Sequence, residues 1–147
     1  MSRVLICLLR LAVILVGYAA ASLAASAFMH VILFAWAGFE PNDAPPLLAG
    51  SLVFSVPFVA LFVAYSGFFP SVAVILIGEM SGRHDWLTYA IGGGAVAALF
   101  LAFAYRTPDA DFTVLDPRIM ATVLGSGLVG GIAYWLVAGR SAGTWRF

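Results

Sequence analysis

The chain has 147 residues, of which 63% are hydrophobic and 10% are charged. Soluble domains are about 45–50% apolar and about 25% charged, so this composition excludes an ordinary soluble fold and makes the bilayer the solvent for most of the chain. The formal net charge is zero, which excludes the basic footprint of a nucleic-acid-binding protein. The single cysteine, Cys7, cannot form an intrachain disulfide, and no Cys/His grouping has metal-ligand spacing.

The first long apolar run, from Leu11 to Trp36, is the strongest structural signal. Its ionisable side chains are Tyr18 and His30 alone. About 20 residues at ~1.5 Å each cross the ~30 Å hydrocarbon core, so a transmembrane helix is predicted from about Val4 to Trp36. A cleaved signal peptide is the alternative, but its apolar core of ~7–15 residues would be shorter than this run. We therefore favour the uncleaved helix.

Three further spans are predicted after a proline-rich loop. Residues 47–79 read as one long helix kinked at Pro57 and Pro70, because proline removes a backbone donor and clashes with the preceding turn. Two shorter spans are predicted at about 86–105 and 118–138, the last with Asp116 as its N-cap. The predicted fold is all-α, a single domain and integral membrane bundle of four transmembrane helices, with two long and two short spans.

The arginines predict the orientation of this bundle. Four spans place both termini on one side, together with five of the seven basic residues, Arg3, Arg10, Arg83, Arg140 and Arg146. Arg106 and Arg118 fall on the other side, so the positive-inside rule predicts N-in and C-in. Trp86, Tyr134 and Trp135 are then expected in the inner aromatic belt. Short connections and exclusive use of arginine fit a bacterial inner membrane.

A polar seam is predicted between the first two spans. Tyr18, Ser22, Ser26 and His30 follow one another at intervals of four residues, which places them on one helix face. Ser51 and Ser55 lie at similar depth on the second span. The favoured interpretation is interhelical hydrogen bonding, worth about 0.6 kcal/mol per bond. The alternative is a pocket for a small ligand or a proton, with His30 titrating.

Small residues and two charges complete the candidate sites. Gly93 and Gly94 in the third span and Gly127 and Gly131 in the fourth belong to small-xxx-small pairs, which let helix backbones approach closely. Such pairs fit packing inside the bundle, a homodimer or docking onto a larger complex. Arg10 and Glu79 are membrane-proximal charges on the inner side, and we expect them to pair, because an unpaired charge near hydrocarbon is costly. Separate snorkelling of each charge is the alternative.

No constellation of acid, base, nucleophile or metal ligands is predicted, so the chain is not expected to be an enzyme. No cofactor is expected either, because a bis-histidine haem site would need His30 and His84 at one depth. The favoured function is an accessory or structural subunit, or a scaffold, in contact with lipid and with other membrane subunits or a second copy of itself. The alternative is a small transporter or channel module that works as a homo-oligomer along the polar seam.

Overall fold

The computed structural model describes residues 3–38, 46–106 and 116–143. They form five helices, α1 (Arg3–Trp36), α2 (Pro46–Ser66), α3 (Phe68–Ser81), α4 (Trp86–Tyr105) and α5 (Pro117–Val137), followed by a 3₁₀ turn, Gly139–Ser141. This described part contains no strand, which confirms the all-α prediction. By length and apolarity α1, α4 and α5 could each cross a membrane, and α2 with α3 adds a fourth span if that bent pair counts as one. Arg146 lies outside the described residues.

The first, third and fourth predicted helices match the observed bounds to within one residue at each end. Their ends carry the expected chemistry. At the start of α5, Pro117 occupies the first turn, and the Asp116 Oδ1 atom accepts a hydrogen bond from the Arg118 backbone N–H at 2.9 Å. An N-cap carboxylate satisfies one of the donors that a helix start leaves unbonded, so the α5 boundary follows directly from the sequence.

The second predicted helix, kinked at Pro57 and Pro70, is interrupted beside Pro70 instead of continuing through it. It is divided into α2 and α3, which meet at Gly67 with a bend of 72°. The helix α2 continues through Pro57, whereas Pro70 lies in the first turn of α3. In a continuous helix the Pro70 ring would clash with the Ser66 carbonyl, and its missing N–H would leave that carbonyl unbonded. The chain therefore breaks at the glycine before the proline, where the first donors of a new helix need no intrahelical acceptor.

The helix α5 lies at the centre of the bundle and packs along both α1 and α4. The two halves of the bent pair divide between the outer helices, with α2 against α1 and α3 against α4. A buried cluster of Tyr89, Tyr134, Ala138 and Ala142 forms the core at the end where α3, α4 and the 3₁₀ turn meet. The bent pair thus arches over the side of the bundle instead of filling it.

Glycines bring α4 and α5 into backbone contact. A Cβ atom on Gly93 would collide with the Gly127 carbonyl oxygen, and one on Gly131 would lie 2.8 Å from the Tyr89 carbonyl carbon. A Cβ atom on Gly94 would meet the Leu128 side chain at 3.2 Å, a looser contact. The predicted small-residue pairs of these two helices are therefore occupied by packing inside the chain.

This packing predicts a strong effect of a single methyl group. Gly93→Ala should destabilise the protein by about 1–3 kcal/mol, because the added Cβ meets rigid backbone instead of a movable side chain. Gly50→Ala is the matched control, since a Cβ atom there has no neighbour within 4 Å. It should be neutral or stabilise α2 by up to about 1 kcal/mol, the ordinary helix-propensity gain. Unfolding in SDS titrations followed by circular dichroism measures both; equal stabilities would contradict the close approach.

Candidate functional site

The polar seam lies between α1 and α2, but its acceptors are backbone carbonyls. The Tyr18 hydroxyl donates to the Ala64 carbonyl oxygen at 2.5 Å, and the fully buried Ser26 hydroxyl donates to that of Val56 at 2.8 Å. Eight residues separate the two contacts on each helix, with opposite chain direction. The bonds therefore hold α1 and α2 antiparallel in one alignment, and Ser55 is half-buried nearby while Ser51 is exposed.

The break at Gly67 explains one of these bonds. The last carbonyls of a helix have no intrahelical donor, and α2 ends at Ser66. The Tyr18 hydroxyl supplies a donor to one of them, the Ala64 oxygen, while the Gly67 backbone N–H donates to the Val63 oxygen at 2.9 Å. In hydrocarbon an unbonded carbonyl is costly, so the Tyr18 bond makes the bent pair more compatible with a lipid environment.

The other two seam residues of α1, Ser22 and His30, bond to their own helix. The His30 Nδ1 atom lies 2.8 Å from the Ser26 carbonyl oxygen, so this nitrogen carries a proton and donates it. The Ser22 hydroxyl donates to the Ala19 oxygen at 2.9 Å. Tyr18, Ser22, Ser26 and His30 are thus all engaged with backbone carbonyls, and that engagement favours the structural interpretation of the seam.

A charge cluster joins three distant parts of the chain at the opposite end of α1 from Trp36. The guanidinium of Arg10 contacts both carboxylate oxygens of Glu79, and both side chains are more than 90% buried. Arg10 also donates to the Ser141 hydroxyl at 2.7 Å and to the Ala138 carbonyl at 3.0 Å. The Glu79 carboxylate accepts in addition from the Gly143 backbone N–H at 3.1 Å. The expected pairing of Arg10 with Glu79 is thus seen, in a larger network.

The sequence did not predict the roles of Ser141 and Gly143, because no sequence pattern shows which distant hydroxyl or backbone N–H will bond to a buried charge. The turn that delivers them is set by glycine. Gly143 has φ of +73°, a left-handed conformation that glycine adopts without strain. A Cβ atom there would lie 3.1 Å from the Gly82 Cα atom, so the C-terminal turn approaches the end of α3 closely.

A slot of about 180 Å³ lies under the arch of the bent pair and is lined by residues of all five helices. It runs from Tyr18 to Met29 along α1, from Tyr89 to Phe100 along α4, and from Val123 to Tyr134 along α5. Each of these stretches covers eleven residue steps, about 16 Å of helix. Cavities of about 150 Å³ already admit benzene in soluble proteins, so the slot is large enough for a ligand.

The slot is mainly apolar, and three of the four serines in its lining, all except Ser71, have hydroxyls that are hydrogen-bonded within their own helix. Ser22, Ser66 and Ser126 each donate to a carbonyl of their own helix. No Arg, Lys, His, Asp or Glu belongs to its described lining. Within the ranges the structure describes, no group of three or more His, Cys, Asp or Glu side chains could hold a metal ion.

Two tyrosine hydroxyls of the slot differ from these serines, because they have no hydrogen-bond partner among the described residues. Tyr89 and Tyr134 are 2% and 5% exposed, their rings lie 5.4 Å apart, and neither hydroxyl has a hydrogen-bond partner among the described residues. A buried hydroxyl without a partner costs about 1–3 kcal/mol. Tyr134 was expected in the aromatic belt, and burial corrects that prediction. The available sequence signal was a phenol within an apolar span, which needs a partner for its polar end.

Removing the single charge of Glu79 from the cluster is predicted to destabilise the protein strongly. Glu79→Gln should cost about 3–5 kcal/mol, because it leaves the Arg10 charge buried without a counter-ion. The double variant Arg10→Met with Glu79→Met should lose less than the sum of the two single changes. Arg83→Gln, at an exposed arginine near the same end, is the control and should lose less than about 0.5 kcal/mol. Additive losses in SDS unfolding would contradict the pairing.

Comparison of the chain with protein-family models, with curated proteins and with solved structures finds no match.

Proposed function

We propose that this chain is a non-catalytic, multi-pass component of a bacterial inner-membrane assembly that works through helix–helix contacts, with four spans oriented N-in and C-in. The observation that carries the proposal is the outward face of α2. Inside the chain α2 packs on α1 and meets α3 at the bend, and none of the described residues covers its opposite side. Large apolar side chains follow one another at regular intervals along that uncovered side.

The apolar stripe of α2 consists of Phe54, Phe58, Leu61 and Tyr65. These residues are 79%, 72%, 70% and 84% exposed, and they follow one another at intervals of four, three and four residues. The same intervals form the seam along which two helices pack in a coiled coil. The small residues of α4 and α5 are already used inside the bundle, whereas the stripe is exposed and has a spacing that fits a helix from another subunit.

Contacts between helices support the four-span arrangement. The Tyr18 and Ser26 bonds place the beginning of α2 near the Trp36 end of α1, whereas Glu79 at the end of α3 reaches Arg10 near the start of α1. The bent pair therefore runs from one end of α1 to the other, which favours a broken span over a re-entrant loop. The C-terminal turn also meets Arg10, which favours both termini on one side.

A second candidate function is a small transporter module, and the broken span favours it. Transporters often place discontinuous helices beside a central binding site. Here the break at Gly67 borders the slot, and Gly67 itself belongs to its lining. The apolar lining of the slot makes ions and charged metabolites poor substrates for such a module.

The topology predicts opposite labelling of two engineered cysteines. In a Cys7→Ala background, Ala37→Cys lies in an exposed turn after α1, and His84→Cys lies in the exposed connection after α3. A membrane-impermeant maleimide added to spheroplasts should label the first site directly and the second after permeabilisation. Labelling of both from outside in intact spheroplasts would contradict the broken span and leave three crossings.

The helix-contact function predicts a large native assembly that depends on the α2 stripe. Mild-detergent extraction of the tagged protein, a native gel and mass spectrometry should show stoichiometric membrane partners. Phe58→Ala with Leu61→Ala should release them, because it removes the exposed apolar surface at the middle of the stripe. Leu15→Ala with Leu33→Ala, at exposed positions on α1, should leave the assembly intact.

Two outcomes separate the candidates. A discrete homo-oligomer without partners would favour the transporter module, and Ser26, His30 and Ser55 would be the next residues to change. A monomer, or an assembly that both double variants retain equally, would contradict the proposed function.

A further inference from the structure

We propose that the slot binds one uncharged lipid-like molecule, with its apolar chain between the helices and its carbonyl or hydroxyl oxygen bonded to Tyr89 and Tyr134. The proposal is independent of the assembly proposed above. It rests on three observations that point to the same ligand chemistry: the dimensions of the slot, the character of its lining, and two buried donors at one end.

The dimensions of the slot suit an acyl or prenyl chain. Its lining extends over eleven residue steps of α1, α4 and α5, about 16 Å, and one leaflet of a ~30 Å hydrocarbon core is about 15 Å thick. The lining includes Gly93, Gly127, Gly130 and Gly131, whose close packing against neighbouring helices makes their backbone part of the slot wall. Protein interiors rarely leave such a volume empty, because its lining loses dispersion contacts.

The arch of the bent pair leaves room for a chain to enter. The helix α2 packs mainly on α1, and α3 packs mainly on α4. The slot beneath them is partly open and does not form a closed internal void. A lipid-like molecule therefore needs no unfolding of the bundle to reach it.

The lining selects against charge. The described slot residues include aliphatic and aromatic side chains, glycines and serines, and the serines Ser22, Ser66 and Ser126 donate to carbonyls of their own helices. A phosphate or carboxylate would be desolvated there without a counter-ion, because Arg10 and Glu79 already neutralise each other. The ligand is therefore uncharged.

The tyrosines supply the polar end of the site. Both hydroxyls are buried, both residues line the slot, and neither hydroxyl has a partner among the described residues. The neighbouring Glu79 carboxylate accepts instead from Arg10 and from the Gly143 backbone N–H. The two rings are tilted by 36° with their centroids 5.4 Å apart, and two neighbouring phenol O–H groups can donate to one carbonyl oxygen, which has two lone pairs. A carbonyl or hydroxyl at the head of an apolar chain is the group that fits.

The experiment uses photolabelling of the full-length chain in phosphatidylcholine nanodiscs. The probe is a monoacylglycerol with a diazirine at the end of its acyl chain, and a phosphatidylcholine with the same diazirine chain reports general lipid contact. With its ester carbonyl at the tyrosines, the neutral probe should label Met29, Phe100 or Val123 at the far end of the slot. Unlabelled monoacylglycerol should compete this labelling, whereas the phosphatidylcholine probe should label exposed positions such as Phe54.

Filling the slot tests its occupancy. Val96→Phe places a larger side chain in the lining and should reduce slot labelling at least tenfold, by about the binding energy of the excluded chain segment. Val53→Phe, at a position 69% exposed on α2, is the matched control and should leave labelling unchanged. Should Val96→Phe fail to fold, Val63→Phe fills the slot from the opposite wall. Labelling that survives the filled slot would overturn the proposal.

Removing the hydroxyls tests the polar end. Tyr89→Phe with Tyr134→Phe should weaken competition by monoacylglycerol about tenfold, through the loss of two hydrogen bonds. Without ligand this variant should be as stable as the parent or more so, because it removes two unpartnered groups. Tyr65→Phe, 84% exposed, should change neither quantity. A double variant that is less stable without ligand but binds the probe equally well would show hydroxyls bonded to internal water, and would overturn the assignment.

Discussion

The ion pair of Arg10 and Glu79 ties together parts of the chain that are far apart in sequence. It links the first turns of α1 to the last turn of α3, and the C-terminal turn completes it through Ser141 and Gly143. A buried charge pair is tolerated only when its remaining donors and acceptors are also satisfied. The pair can form only if α3 ends beside the start of α1, and the packing of the other helices allows this.

The break at Gly67 allows the end of α3 to reach this position. A straight helix of this length would pass along α1 without turning towards α4, whereas the 72° bend directs α3 onto α4. A break in a helix leaves backbone carbonyls without intrahelical donors, and hydrocarbon cannot supply donors to them. The Tyr18 hydroxyl provides one of the missing donors. The same bend holds α2 and α3 away from the centre, so the slot is a consequence of the arch.

The proposed functions depend on which groups already make contacts inside the fold and which do not. Tyr18 and Ser26 bond to carbonyls of α2 and His30 bonds to a carbonyl of α1, which favours helix alignment over proton transfer as the role of the seam. Among the described residues, the apolar stripe on α2 is exposed, and the hydroxyls of Tyr89 and Tyr134 have no hydrogen-bond partner. The first supports association with another membrane helix, and the second supports a neutral ligand, and the two can act in one assembly.

The sequence by itself determined the helical class, the helix from residue 3 to 36 and the two short helices, because long apolar runs and the Asp116–Pro117 start are local signals. It also identified Arg10 and Glu79 as charges needing compensation. It predicted kinks at both Pro57 and Pro70 and did not show which of them breaks the helix, because only the structure shows that α2 continues through Pro57 and that the bend lies beside Pro70. Only the tertiary structure decided that backbone carbonyls accept from the seam, and that Tyr134 is buried beside Tyr89. Such contacts depend on helix rotation and depth, which no single span encodes.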